Sequence, residues 1–183
     1  IKGGVTFVQI REKEASYDEF KKIALDVKKV TDKYNVPMII NDNVELAKDI
    51  DADGVHVGGD DMSVANARKI LGDNKIIGAT ARTYERAVTA VSQGADYLGI
   101  GAMFDTSTKS GTTHMTKELS NKITSYANIP VVGIGGINSE NIMSLEGYGI
   151  DGVAVVSAIF KSEDIEKSAK IMKEKASKIV RES

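Results

Sequence analysis

The sequence predicts an α/β protein in which a parallel sheet is covered by helices. Short runs of apolar and β-branched residues alternate along the chain with amphipathic segments of helical period. Polar or glycine residues end almost every apolar run, as is typical of strands whose carboxyl ends carry a binding site. No linker interrupts the alternation, so we expect one domain over residues 1–183.

The predicted elements form strand-then-helix units. The strands are predicted at 5–11, 38–42, 54–58, 75–80, 97–102, 130–135 and 152–157. The helices are predicted at 17–34, 44–50, 63–71, 83–92, 116–126, 139–145 and 162–181. Ser16 and Glu19 fit a capping box for the first helix. The apolar residues expected on one face of that helix are Phe20, Ile23, Ala24, Val27 and Val30.

The number of units favours a barrel. A closed barrel of this kind has eight units, whereas seven are visible here and the chain opens on Lys2-Gly3-Gly4, as in a helix-to-strand turn. We therefore expect a (β/α)8 (TIM) barrel whose first strand is missing from this chain. An open seven-stranded sheet is the alternative.

Composition excludes several classes of partner. The chain has a net charge of -2 and no cysteine. The net charge gives no overall positive electrostatic field that would attract nucleic acid. The absence of cysteine excludes disulfides, thiolate metal sites and cysteine nucleophiles. No apolar run approaches the roughly 20 residues of a membrane span. We expect a cytoplasmic protein with no nucleic-acid or membrane partner, and the sequence leaves a homo-oligomer open.

Acidic residues follow two neighbouring predicted strands. Asn41 and Asp42 end the second strand, and Asp60 and Asp61 follow the third. A strand, a short helix and another strand form a parallel pair, so Asp42 and Asp61 are expected at one rim. Neighbouring carboxylates repel unless a cation lies between them, which favours Mg²⁺. The alternative is two ordinary turns. His56, in mid-strand, is expected in the core or behind the ligands.

The end of the first predicted strand carries side chains suited to an anion. Gln9, Arg11 and Lys13 occupy alternate positions, so they share one face of the strand. Cations that face the mouth of a barrel are costly unless an anion compensates them. The alternative is a solvated strand end in which Glu12 and Glu14 are ion-pair partners.

Later loops indicate a second anion site. Residues 106–109 supply three hydroxyls and an ammonium, which suit a phosphate, although composition alone slightly favours a flexible surface loop. Gly135-Gly136 and Val156-Ser157 close the last two predicted strands, where barrels often hold a phosphate through backbone amides. Thr80 and Arg82 could add donors at another strand end, although Thr80 also suits a residue that leads into a helix.

Taken in order, these motifs resemble those of the thiamine-phosphate synthase family. Each motif alone is weak, whereas the ordered set is specific and covers nearly the whole chain. The motifs are Gln9-Ile10-Arg11-Glu12-Lys13, Asn41-Asp42, Gly54-Val55-His56, Asp60-Asp61, Thr106-Ser107-Thr108-Lys109, Ile134-Gly135-Gly136-Ile137 and Val156-Ser157-Ala158-Ile159. The resemblance implies a (β/α)8 barrel that joins a hydroxymethylpyrimidine diphosphate to a thiazole phosphate. The implied products are thiamine phosphate and pyrophosphate, and Mg²⁺ is the implied cofactor.

The resemblance also implies roles for residues of this chain. Asp42 and Asp61 would hold Mg²⁺ on the diphosphate. The implied contacts of the pyrimidine diphosphate and of pyrophosphate are Gln9, Arg11, Lys13, Asn41 and Lys109. The implied contacts of the thiazole phosphate are Thr106, Thr108, Gly136, Val156 and Ser157. Within the same motifs, Ile10, Glu12 and Ser107 are also expected to bind substrate.

The family mechanism is dissociative, and it needs no protein nucleophile. Pyrophosphate leaves first, a methylene cation stabilised by the aminopyrimidine forms, and the thiazole nitrogen captures it. Such a reaction requires charge neutralisation and alignment of the two substrates. The residues expected to take part in catalysis are Arg11, Lys13, Lys109 and Thr80.

Four positions depart from the usual family pattern. Thr80 replaces a serine and keeps the hydroxyl, Arg82 replaces a histidine, and Gly59 replaces a glutamine. Asp105 replaces a proline and puts a negative charge beside the expected thiazole-phosphate site.

Two other functions are compatible with such a fold. One is a thiazole tautomerase, which would need only a monophosphate site, and the other is a non-catalytic thiamine-phosphate-binding or regulatory protein. The combination of Arg11 and Lys13 with Asp42 and Asp61 argues against the tautomerase, because an isomerase has no diphosphate to neutralise.

Overall fold

The protein is a seven-stranded parallel sheet covered by helices. The structure, a computed structural model, describes residues 1–59, 62–105 and 114–181. The strands in this part of the chain are β1 (Val8–Ile10), β2 (Met38–Asn41), β3 (Gly54–Val57), β4 (Ile76–Thr80), β5 (Tyr97–Ile100), β6 (Val131–Ile134) and β7 (Gly152–Ala154). The helices are α1 (Tyr17–Lys33), α2 (Val44–Asp49), α3 (Val64–Leu71), α4 (Tyr84–Ser92), α5 (Lys117–Tyr126), α6 (Ser157–Phe160) and α7 (Ile165–Ala176), and Ile142–Leu145 is a 3-10 helix.

The strands lie side by side in sequence order, and every neighbouring pair is parallel. Side chains at β1 and β5 are in contact although three strands lie between them, which shows that the sheet curls. The rings of Phe7, just before β1, and Tyr97 pack edge to face with centroids 5.9 Å apart, and the Gln9 side chain of β1 lies close enough to the Tyr97 hydroxyl to oppose the rise that burial causes in its pKa. The fold is therefore TIM-barrel-like, with β1 and β7 at the two edges of the sheet.

The ends of most helices agree with their sequence signals. The Ser16–Glu19 capping box is present at the start of α1, which confirms that prediction. Side-chain oxygens also cap the later helices, because each accepts a hydrogen bond from a backbone amide of the first turn. These capping residues are Asn43, Ser63, Thr83, Thr116 and Asp164.

A repeated carboxylate contact aligns pairs of strands at their amino ends. In each case an aspartate just before one strand accepts a hydrogen bond from the first or second backbone amide of the preceding strand. These pairs are Asp53 with Met38 (2.7 Å), Asp96 with Ile77 (2.6 Å) and Asp151 with Val131 (2.7 Å). The aspartate amide donates back to the carbonyl of the same partner. These contacts give hydrogen-bond partners to backbone groups at the amino ends of the strands, at the end of the barrel opposite the carboxyl rim.

The last units differ from the sequence prediction. The strand predicted to reach Ser157 ends at Ala154, and Ser157 instead begins the one-turn helix α6. The helix predicted over 139–145 is a 3-10 turn at Ile142–Leu145, because Asn138 and Asn141 side chains bond nearby backbone groups and compete with a regular helix. The last helix is shorter than predicted, since Asp164 caps it and it ends at Ala176.

Two predictions about the first unit were also too broad. The strand predicted over 5–11 is limited to Val8–Ile10, where pairing with β2 exists. On α1, Phe20 and Ala24 are buried as expected, but Ile23 and Val30 are 43% and 50% exposed. Periodicity identified the helix but not how much of its apolar face is covered.

The loop after β5 packs against the loop after β6 at the carboxyl rim. The amides of Met103 and Phe104 donate to the carbonyls of Ile134 and Gly135, each at 3.0 Å. Gly136 has a φ of +67°, and a Cβ there would lie 2.4 Å from the carbonyl oxygen of Asp105. The backbone can approach this closely because residue 136 has no side chain.

None of the helices among the described residues is long and apolar enough to cross a membrane.

Replacing Asp151 by asparagine should destabilise the protein at neutral pH. Burial opposes ionisation of Asp151, but the Arg181 guanidinium and the Val131 amide outweigh it and hold the pKa of the carboxyl below its usual range. A depressed pKa contributes stability above the unfolded-state pKa, which is lost as pH falls through the folded-state pKa. We expect Asp151→Asn to cost about 1 kcal/mol in urea unfolding at pH 7, with the difference smaller at pH 3, because the contribution is lost as pH falls below the usual carboxyl range.

The exposed Glu140 provides the control for that experiment. Glu140→Gln should leave the midpoint of unfolding unchanged at both pH values. A difference between wild type and Asp151→Asn that stays constant across the pH range would contradict the assigned ion pair.

Replacing Gly136 by alanine should disturb the rim more than the same change at Gly72. Both glycines have a positive φ, but a Cβ at Gly72 would meet nothing within 4 Å. Each variant therefore loses about 1 kcal/mol for the left-handed backbone, and only Gly136→Ala loses a further ~1–3 kcal/mol because the Asp105 carbonyl must move. Equal melting temperatures for the two variants would contradict the close loop contact.

Candidate functional site

The end of β2 places an acidic side chain beside β3. Asn41 is the last residue of β2, and Asp42 follows with a φ of +64°, a conformation that aspartate tolerates better than most residues. The Asp42 amide donates to the carbonyl of His56 in β3 at 2.8 Å. This bond fixes Asp42 at the boundary of two neighbouring strand ends, as the sequence predicted.

Asn41 and Asp42 line a shallow cavity of about 310 Å³ with Glu12 and Asn43. Ala15, Tyr17 and Phe20 complete the lining, and the carboxylate and amide oxygens among its polar groups are ligands that Mg²⁺ prefers. Asp61, the second expected ligand, lies outside the described residues. Within the described residues, no group of three or more histidine and acidic side chains could hold a metal ion. The donors present at β2 fit Mg²⁺, provided that substrate oxygens or water complete its coordination.

The cationic residues expected to bind the diphosphate follow β1. Gln9 is the exposed middle residue of β1, and Arg11 and Lys13 lie in the loop that begins where that strand ends, at Ile10. Both cations are exposed. Ile10 packs instead against the core on the other face of the strand. Only its backbone is available to a ligand in the barrel.

Glu12 shapes the loop after β1. Its Oε1 accepts hydrogen bonds from the amides of Lys13 at 2.7 Å and Glu14 at 2.9 Å. These amides, that of Glu14 first, lower the pKa of the Glu12 carboxyl. Glu12 therefore stabilises the loop that carries Lys13, a role that the sequence analysis did not foresee.

A chain of polar side chains crosses the interior of the barrel. His56 of β3 is buried, and its Nδ1 lies 2.7 Å from the Tyr97 hydroxyl of β5. His56 Nε2 lies 2.9 Å from the Thr80 hydroxyl, at the carboxyl end of β4. The expectation that His56 lies in the core is confirmed.

Two glycines make room for these rings. A Cβ on Gly78 would lie 2.1 Å from the Tyr97 ring, and a Cβ on Gly99 would lie 3.1 Å from His56 Cε1. Gly78 is the register partner of both His56 and Tyr97 on the adjacent strands. Tyr97 is the site residue that the sequence analysis missed. Gly78, which faces it on the neighbouring strand β4, is the signal that could have revealed it.

The loops after β6 and β7 present backbone donors. In the part of the chain that the structure describes, the amides of Gly136, Val156 and Ser157 donate to no protein acceptor. The Gly136 carbonyl accepts from the Asn141 side chain at 2.9 Å, which holds the loop in place. Available amides of this kind suit an anion. The other expected anion contacts, Thr106, Ser107, Thr108 and Lys109, lie outside the described residues.

The residues expected to depart from the family pattern have different surroundings. The Asp105 carboxylate, which is fully exposed, lies 2.9 Å from Nε2 of His114. A Cβ on Gly59 would lie 1.3 Å from Nη1 of Arg86, so the Arg86 guanidinium occupies the space of the usual side chain at position 59. Arg82 is exposed beyond β4.

Comparison with known proteins agrees with this geometry. A family model described as thiamine monophosphate synthase matches residues 1–159. The thiamine-phosphate synthase of Ruminiclostridium cellulolyticum is 52% identical over 169 residues, which cover 92% of this chain and 80% of that protein. That of Clostridium botulinum is 48% identical over 98% of this chain and 84% of its own length.

A solved structure shows the same architecture. Thiamine phosphate pyrophosphorylase from Pyrococcus furiosus superimposes with a TM-score of 0.88 at 36% identity, covering 97% of this chain and 86% of that one. The family model, the sequence relatives and this structure agree with one another. The chain belongs to the thiamine monophosphate synthase family.

Proposed function

We propose that this chain is a transferase that joins a hydroxymethylpyrimidine diphosphate to a thiazole phosphate and releases thiamine phosphate and pyrophosphate. The observation that supports this proposal is that two cationic residues and two oxygen ligands stand at the carboxyl ends of neighbouring strands. Arg11 and Lys13 follow β1, while Asn41 and Asp42 end the adjacent β2. A diphosphate with a divalent cation matches both groups at once.

The pyrimidine diphosphate occupies the rim over β1 to β3 in this proposal. Arg11 offers a planar pair of donors to phosphate oxygens, and Lys13 offers a point charge beside it. Asp42 and Asp61 hold Mg²⁺ against the same phosphates, and Lys109 adds a cation from the loop after β5. The uncompensated positive charge of Arg11 and Lys13 is then neutralised by the ligand.

The thiazole phosphate occupies the opposite side of the rim. The amides of Gly136, Val156 and Ser157 have no acceptor among the described residues, and they supply donors for its phosphoryl oxygens. Thr106, Ser107 and Thr108 would contact the same substrate. The packing of the β5 loop on the β6 loop links this second subsite to the first.

The reaction breaks the carbon–oxygen bond of the pyrimidine diphosphate before the new bond forms. Arg11, Lys13 and Lys109 stabilise the charge that develops on the departing pyrophosphate. When bound, Mg²⁺ supplies further neutralisation of that charge. The electron pair of the thiazole nitrogen then forms the carbon–nitrogen bond to the methylene carbon. The protein contributes alignment and charge, and no covalent intermediate is needed.

The edges of the sheet support closure by an eighth strand. β1 and β7 are the outermost strands, and both are parallel to the rest of the sheet. Edge strands expose unpaired backbone groups, and closure into a barrel pairs them. We propose that an eighth parallel strand fits between them to complete the barrel.

Product formation with and without Mg²⁺ tests the proposed function. Wild-type protein with both substrates should yield thiamine phosphate and equimolar pyrophosphate in the presence of Mg²⁺, and neither product after chelation of the metal. Metal-independent isomerisation of a thiazole phosphate would point to a tautomerase. Binding of thiamine phosphate without turnover would point to a non-catalytic protein.

Removal of either expected metal ligand should abolish most turnover. Asp42→Ala and Asp61→Ala should each lower kcat on the order of 100-fold at limiting Mg²⁺, because the leaving group is no longer neutralised. Asp73→Ala, an exposed change before β4 at the other end of the barrel, is the control. Rates like those of the wild type in Asp61→Ala would refute the metal assignment.

Replacing Arg11 by alanine should weaken the binding of only one of the two substrates. Arg11→Ala removes a donor to the diphosphate only, so we expect the KM for the pyrimidine diphosphate to rise about 10-fold or more, with the KM for the thiazole phosphate unchanged. Lys29→Ala on the exposed side of α1 is the control. An equal rise in both KM values would contradict separate subsites.

A further inference from the structure

The loop between β1 and α1 carries both cations of the proposed diphosphate site, and most of its side-chain contacts are local. Glu12 accepts from the amides of Lys13 and Glu14, and Ser16 and Glu19 form the capping box of α1. Among the described residues, the side chains at positions 11–17 make one hydrogen bond to a different strand–helix unit, which the Tyr17 hydroxyl donates to Asp49. The local contacts fix the shape of the loop, whereas this bond fixes the loop relative to its neighbour.

The bond joins the beginning of α1 to the end of α2. The Tyr17 hydroxyl lies 2.6 Å from Oδ2 of Asp49, which is 32 residues further along the chain. Lys21, one turn further along α1, places its Nζ 3.2 Å from the same oxygen. Hydrogen bonds to a carboxylate are stronger than those between neutral groups. The bond to Asp49 is the main reason that the pKa of Tyr17 is raised to about 12, so the phenol remains a donor at neutral pH.

Helix α2 connects this bond to the end of β2. The helix begins two residues after Asp42, the Asn43 side chain caps it, and its six residues end at Asp49. Tyr17 itself lines the cavity that contains Asn41 and Asp42. The loops after β1 and β2, which both line this cavity, are therefore linked through Tyr17 and Asp49.

We propose that Tyr17 and Asp49 are positioning residues that hold the cationic loop after β1 against the acidic end of β2. A diphosphate with its divalent cation contacts both groups at once, so its affinity depends on how well they are held in place before it binds. This inference rests on the proposed function, because it assigns the linkage to the diphosphate site of that reaction. The Tyr17 hydroxyl and the Asp49 carboxylate act through the loops and touch no substrate.

Removal of the Asp49 carboxylate distinguishes positioning from simple electrostatics. Asp49→Ala removes a negative charge near an anion site, so charge alone would tighten the binding of pyrophosphate. The proposal predicts weaker binding, because the Tyr17 hydroxyl loses its acceptor. Asp49→Asn removes the same charge but keeps an oxygen that can accept the phenol hydrogen bond, so it should retain more affinity than Asp49→Ala.

A double-mutant cycle in pyrophosphate binding tests the linkage. Calorimetric titration with inorganic pyrophosphate and Mg²⁺ gives the dissociation constant of each variant. Tyr17→Phe, which keeps the ring, and Asp49→Ala should each weaken binding about 3- to 10-fold, and the double variant should bind no more weakly than either single variant. Tighter binding by Asp49→Ala, or losses that add in the double variant, would overturn the proposal. Should Asp49→Ala fail to fold, the result for Tyr17→Phe decides alone.

Two controls separate this role from a general loss of stability. Tyr34→Phe removes a hydroxyl from an exposed tyrosine at the other end of α1 and should leave pyrophosphate binding unchanged. In turnover, Tyr17→Phe should raise the KM for the pyrimidine diphosphate and leave the KM for the thiazole phosphate unchanged. An equal rise in both KM values would indicate a purely structural role and would overturn the proposal.

The wild-type protein separates this inference from the proposed function. Wild-type protein that binds no pyrophosphate in the presence of Mg²⁺ would overturn the proposed function, and this inference with it. Wild-type binding that Tyr17→Phe leaves unaltered would overturn this inference alone.

Discussion

The parallel register of the strands is the constraint on which the rest of the structure depends. Every strand from β1 to β7 pairs with its neighbours in sequence order, so every β-to-α loop emerges at one rim. Residues far apart in the chain, such as Arg11, Asp42 and Gly136, are thereby gathered at one end of the barrel. The carboxylate contacts of Asp53, Asp96 and Asp151 align strand pairs at the other end.

Curling of the sheet is a second constraint on the structure. It brings side chains of β1 and β5 together and encloses His56 between Tyr97 and Thr80. The interior of the barrel is thus polar at this level, and hydrogen bonds replace the hydration that the buried groups lose. Among the described residues, no buried side-chain polar atom lacks a hydrogen-bond partner. A partnered interior of this kind can hold rim residues in fixed orientations.

Much of the fold could be predicted from local signals. The helix starts depend on capping residues such as Ser16 and Thr83, and the strands depend on short apolar runs, so both are legible in a single sequence. The end of β7 was misjudged, because Val155 and Val156 have high strand propensity although the ladder with β6 stops at Ala154. Pairing, and not propensity, decides where a strand ends.

The site was predictable where it lies directly after strands. Asn41, Asp42, Arg11 and Gly136 could be placed at one rim because parallel strands share a direction. Tyr97 could not, because its role depends on curvature and on the missing side chains of Gly78 and Gly99. Contacts across a barrel involve partners from different units, and no local pattern encodes them.

The central claim is that a divalent cation joins a diphosphate to Asp42 and Asp61 at the rim. A crystal structure of the protein with Mg²⁺ and pyrophosphate tests this claim most directly. We expect one ion with carboxylate oxygens of both residues and phosphate oxygens at about 2.0–2.1 Å, and with Arg11 against the same pyrophosphate. Carboxylates that point away from each other, or pyrophosphate bound elsewhere with no ion between them, would contradict the claim.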